Sequence, residues 1–146
     1  MAGVNLQVTG LDALANRLKA YANHSNFNSL LESIGAEVES QTHRRINDEK
    51  ESPVGKPWAD WSSSYAASRH GGHSLLMNEG EMDDSIQYLV TDGQVEVGTN
   101  LIYAALQHYG GEKIGKPNHK ARPFIGLSDL NISELQVIID QWADNI

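Results

Sequence analysis

Six histidines are the first residues in this chain that could do chemistry. His70 and His73 sit in the stretch "RHGGH", with His108 and His119 further along. Zinc needs three or four N, S or O ligands held tetrahedrally on a framework that fixes their directions. Two glycines between His70 and His73 make a loop rather than a helix face. The HExxH spacing, which puts two ligands and a base on one helical side, is absent. Histidines at the surface or the edge of the core are the simpler reading. Other chemistry is equally thin. There is no GxSxG elbow, and Ser62-Ser63-Ser64 have no positional tie to a histidine–carboxylate pair. Glu79, Glu81, Asp83 and Asp84 could be paired acids for glycoside chemistry, but read more simply as the charged start of a short helix or strand. The segment "YGGEKIGKP" lacks the GxxxxGK[ST] spacing of a phosphate loop.

What remains is a set of aromatic and apolar residues in poorly periodic segments: Trp58, Trp61, Tyr65, Tyr109 and Phe124. Aromatic rings with arginine nearby are the usual anchors of protein interfaces. Trp58 and Phe124 serve as readily to close the domain's own core. Charge adds a second hint. The net charge of −8 argues against nucleic acid as the main partner. Residues 79–96 hold six acids and no base, and residues 113–122 hold four bases and no acid. From Ser128 onward there are four acids and no base. Blocks of opposite sign could match on neighbouring copies; as solvated faces they would need no partner.

The elements that must position these residues follow from periodicity. At 146 residues without cysteine, the chain suits one domain over 1–146 that needs neither disulfides nor metal to fold. No apolar run is long enough for a membrane span, and no signal peptide is legible, so the expectation is a cytoplasmic protein. Val4, Leu6 and Val8 alternate as a short strand. Leu11, Leu14, Leu18 and Tyr21 mark a first helix, with a break over Asn23–Asn26. Phe27, Leu30, Leu31, Ile34 and Val38 mark a second, with Ile46 two turns on, ending before Pro53. A long connection covers about 51–74. Asp92-Gly93 between alternating runs predicts a type I′ hairpin pairing Thr91 with Gln94 and Tyr88 with Val97.

Ile102, Ala105, Leu106 and Tyr109 predict one face of a short helix that starts near Asn100, stops at Gly110 and packs on the hairpin. A flexible basic loop over about 111–121 follows. Arg122-Pro123 then forces an extended backbone that returns Phe124 and Ile125 to the core. The last helix is expected to start at Asn131, with Glu134 reaching back and Leu130 and Leu135 as a staple. Its buried stripe is Leu135, Ile138, Ile139 and Trp142. Helices and antiparallel strands in separate blocks mean an α+β domain: a helical N-terminal third, an antiparallel sheet, and a short and a C-terminal helix packed on it.

The order of motifs is itself informative. "SPVGKPWADWSSSYAASR" has a P-x-G-x-x-W-x-x-W core, and "LLMNEGEMDDSIQY" ends in a Ser-Ile pair. Val97-Gly98-Thr99 closes a strand, Tyr103-Ala104 to Tyr109-Gly110 forms the short helix, and "ARPFIGLS" runs from Ala121 to Ser128. This ordered set, across roughly Pro53 to Ile146, resembles the phage virion morphogenesis family, the tail-completion proteins of Mu-like and P2-like tailed bacteriophages. Two departures are the stretch Asn78-Glu79-Gly80-Glu81-Met82, where the family has a Thr-Gly-x-Leu step, and Ile125 in place of leucine.

The resemblance implies a structural, non-enzymatic role without cofactor: completing or capping the tail so that it joins the filled head, as a ring by analogy with neck proteins. Its partners would be other tail or neck proteins and copies of itself, in the bacterial host cytoplasm during assembly and then in the virion tail or neck. Trp58, Asp92, Gly93, Gly98, Tyr103, Tyr109, Gly110, Arg122, Pro123 and Phe124 fall on the motifs. Trp61, Tyr65, Lys113, Lys116 and Lys120 are left as candidate interface residues. The alternatives are a small zinc-dependent enzyme using His70, His73, His108 and His119, or a monomeric adaptor unrelated to phage.

Overall fold

The hydrophobic and turn signals resolve into a three-stranded antiparallel sheet packed on helices. The structure, a computed structural model, describes residues 3–18, 24–69, 71, 73–77 and 80–145. Tyr21, His70, Asn78 and Glu79 lie outside them, as do the side chains of Leu11 and Leu18. In chain order the elements are β1 (Asn5–Gln7), α1 (Leu11–Leu18), α2 (His24–Arg44), a π-helical turn (Arg45–Glu49) and α3 (Ser63–Ala67). Then come α4 (Glu81–Asp84), β2 (Gln87–Thr91), β3 (Gln94–Gly98), α5 (Ala104–Tyr109), a 3-10 turn (Glu112–Ile114) and α6 (Asp129–Asp144).

The hairpin pairs as expected, Thr91 with Gln94, Val90 with Val95, Leu89 with Glu96 and Tyr88 with Val97. Its turn differs. Only Gly93 takes a positive φ, 77°, so the signs are those of a type II turn rather than type I′. The glycine alone supplies the left-handed residue, and Asp92 keeps an ordinary conformation. β1 adds to the far edge of β3, with Asn5 opposite Gly98. A Cβ at position 98 would lie 2.6 Å from the Cα of Asn5 and the carbonyl of Val4, so only glycine lets the strands close.

The apolar stripe of α2 forms the core as its spacing predicts. Phe27, Leu30, Leu31, Ile34 and Val38 are buried with Ile86, Val95 and Val97 of the hairpin segment. α6 packs on α2 through buried Leu135, with Ile138, Ile139 and Trp142 partly buried against the core. The Trp142 ring meets Phe27 edge-on at 6.5 Å. α2 begins at His24, inside the expected break, and its spiral stops at Glu49, ahead of Pro53 as predicted. Lys50, at φ 54°, closes the π-helical turn by donating its N–H to the carbonyl of Arg45 at 2.9 Å.

Three expectations about helix ends need correction. α6 is capped by Ser128, not Asn131: Ser128 Oγ accepts the Asn131 N–H, and Asn131 Oδ1 accepts the Ser128 N–H. Both residues are good caps, and the serine one turn earlier wins because Asn131 is needed inside. Glu134 pairs with Arg44 at 2.8 Å instead of capping, and Leu130 is exposed rather than stapled.

α5 starts only after Tyr103. Ala104 takes the buried position, and Ile102 and Tyr109 point outward, 90% and 70% exposed, rather than onto the hairpin. The long connection is also more structured than its composition suggests. It contains α3, capped by Ser62, and a bridge between Glu51 and Pro57.

Candidate assembly groove

Two motifs far apart in sequence are joined in space. Trp58 is buried and donates its indole N–H to the carbonyl of Pro123 at 2.8 Å. Arg122, also buried, donates from Nε to the carbonyl of Ala59 at 2.8 Å and from Nη2 to that of Asp60 at 3.1 Å. Its own N–H reaches the carbonyl of Gln107. Phe124 is fully buried, stacked edge-on against the His108 ring at 5.3 Å. The tryptophan segment and the "ARPF" segment are thus one clamp.

Arg45 locks this clamp to α2. Its side chain is 1% exposed. Nη1 donates to the carbonyls of Phe124 at 3.0 Å and Gly126 at 3.1 Å, while Nη2 donates to Asn131 Oδ1. Its nearest carboxylate, Glu49, is 4.0 Å from Nε. Burial therefore pushes the guanidinium below its usual value, with Glu49 opposing. Three acceptors on one fork hold a turn that has no regular secondary structure of its own.

Arg122 of the clamp also lines an open groove of about 940 Å³. Trp61, Tyr65, Arg69, Glu81, Tyr103 and Lys120 are among the residues that line it. The Arg69 guanidinium carbon sits 5.1 Å from the Tyr65 ring centre and 5.9 Å from that of Trp61. Those rings meet edge-on at 5.7 Å. Cation–π stacking of this kind holds an arginine in place without hiding its charge. Tyr103 donates its hydroxyl to Glu81 at 3.1 Å, and burial followed by that carboxylate pushes its phenol up. His119 also lines the groove, and burial, then Arg122 and Lys116, push its imidazole down.

Of the residues expected at an interface, Trp61, Tyr65 and Lys120 line this groove, while Lys113 and Lys116 do not. The basic loop is not a free coil. Gly111 bridges Lys116, and the Gly111 N–H donates to the carbonyl of His119 at 2.9 Å. Gly110 allows this closure, since at φ 77° a Cβ there would lie 2.8 Å from the Ala121 nitrogen. The residues missed by sequence reasoning are Arg69, Glu81 and Arg45. Arg69 had a sequence signal: it follows Tyr65 by four residues and Trp61 by eight, a helical spacing, although α3 itself covers only Ser63–Ala67. Of the four histidines in the zinc alternative, His70 lies outside the described residues. Among the described residues no three His, Asp or Glu side chains converge as a metal-ligand set.

His108 supplies a pH test of the clamp. Burial pushes its imidazole down to about 4, whereas unfolded histidine titrates near 6.5. The fold therefore holds the neutral ring. That stability is complete above about pH 6.5 and is lost as pH falls toward 4. Between pH 7 and 4.5 the loss attributable to this ring is about 2 kcal/mol. Urea unfolding at the two pH values is expected to show that much less acid sensitivity in His108→Gln. Equal sensitivity in both proteins would mean the ring is not held neutral.

Aromatic faces, a stacked arginine and side chains of both signs of charge thus meet around one open groove. The chain belongs to the phage virion morphogenesis family, whose family model matches residues 6–144. It is similar to "Putative capsid assembly protein G" of Escherichia phage Mu, 29% identical over 109 residues that cover 70% of each chain. It is likewise similar to "Mu-like prophage FluMu G protein 1" of Haemophilus influenzae, 29% identical over 112 residues and 73% of each. No solved structure matches the chain at a significant level. Membership gives the chain a structural part in phage assembly and sets aside an adaptor unrelated to phage. No helix among the described residues is long and apolar enough to cross a membrane.

Proposed function

We propose that the protein completes or caps the phage tail so that it can join the filled head, acting as a homo-oligomer, with a ring as the closed form. It has no catalytic step in this reading. The observation that carries it is the groove: half-buried Trp61 and Arg69 with exposed Tyr65 and Lys120, on a family scaffold for virion assembly. A groove of this size accepts an extended segment or helix end from a tail or neck protein, with the rings as anchors and the charges setting register. The protein would act in the host cytoplasm during assembly and remain in the tail or neck.

A second reading is favoured by one observation, the capsid-assembly role in the name of the Mu relative. Deleting the gene separates them. Under tail completion, electron microscopy of lysates is expected to find filled heads and tails unjoined; under capsid assembly, complete heads would be missing.

A further inference from the structure

Two exposed apolar faces of this chain carry opposite charge. The first surrounds α5. Ile102, in the turn before α5, and Tyr109, the last residue of α5, are 90% and 70% exposed. Ile114 follows on the 3-10 turn, 66% exposed, with Lys113 and Lys116 exposed beside it and Glu112 at the edge. The second is the outer face of α6. At 100° per residue, Asp129, Asp140, Asp144, Val137 and Leu130 fall within one arc of about 100°, away from buried Asn131 and Leu135. Leu130 and Val137 are 62% and 54% exposed, and no base lies on that helix.

Apolar residues rimmed by lysine on one element and by aspartate on another are complementary. Two unlike faces meeting in this way make a heterologous contact, which closes into a ring or runs on as a filament. We propose that the α5 face of one copy docks on the outer face of α6 in the next, a docking that rests on the self-association proposed above. The occupant of each face is a second copy of this chain. Apolar contact supplies the attraction, and the charges select the pairing against like faces.

Charge exchange tests this directly. One variant carries Lys113→Glu and Lys116→Glu, the other Asp140→Lys and Asp144→Lys. All four side chains are exposed, and lysine in the last turns of a helix suits its dipole, so both variants are expected to melt as the wild type does. In sedimentation velocity across a concentration series, each variant alone is expected to self-associate at least tenfold more weakly. An equimolar mixture restores association, because each altered face then meets its complement. So does the chain carrying all four changes. Wild-type association unaffected by either variant would overturn the pairing of these faces and leave self-association standing. A wild type that stays monomeric at every concentration would overturn both.

Discussion

Replacing Arg45 with alanine is expected to cost the fold about 3–5 kcal/mol, although the residue touches no partner surface. The side chain is 1% exposed and spends its guanidinium on the carbonyls of Phe124 and Gly126 and on Asn131 Oδ1. Alanine takes the Arg45 donor from the Phe124 and Gly126 carbonyls, each costing about 1–3 kcal/mol, leaves Asn131 Oδ1 with only the Ser128 N–H, and opens a cavity. Removing a buried charge offsets part of this, since Glu49 at 4.0 Å compensates it only weakly. The net is still large, and thermal melting should fall by roughly 10–15 °C for a domain of this size. Arg45→Lys keeps the charge but loses the planar fork, and should recover only part of the loss. A melting temperature within a few degrees of wild type for Arg45→Ala would mean the 124–131 segment is held by its apolar contacts alone.

The second large effect is at Phe124. The ring is fully buried and lies edge-on to His108. Phe124→Ala should destabilise by about 3–5 kcal/mol, the removed surface plus the cavity it leaves. The same change exposes His108, so its imidazole should move up toward the ordinary histidine value. Histidine NMR titration reads that shift independently of stability. Unchanged melting together with an unchanged titration would place Phe124 outside the core and make it a surface residue. Trp58→Phe offers a smaller companion effect, the loss of one hydrogen bond to Pro123, on the order of 1 kcal/mol.

The elements that sequence showed well are those with two agreeing signals. The hairpin register followed from the Asp92-Gly93 turn and the alternation of Ile86, Tyr88, Val90, Val95 and Val97, and a one-residue slip would have broken the pattern. α2 was legible because five apolar residues keep helical spacing and all are buried. The family's ordered motifs were legible too, and the clamp explains their spacing: Trp58, Arg122, Pro123 and Phe124 hold one another across more than sixty residues. Interface roles for Trp61, Tyr65 and the lysines remain part of the proposal.

What sequence hid has physical causes. A buried arginine has no periodic signature, and the partners of Arg45 are 79–86 residues away. α5 was rotated in expectation because its start was placed near Asn100. Beginning after Tyr103 turns Ala104 inward and leaves Ile102 and Tyr109 outside. α6 offered two cap residues a turn apart, and only the demand of Arg45 for Asn131 Oδ1 decides between them. The groove was half visible: its aromatic residues could be read, but Glu81 and Tyr103 reach it through tertiary folding.

Electron microscopy of lysates from the phage lacking this gene tests the central claim most directly. The account predicts filled heads and separate tails, few joined particles, and joining restored when the wild-type chain is supplied. Infectious, fully joined particles in normal numbers without the gene would contradict it.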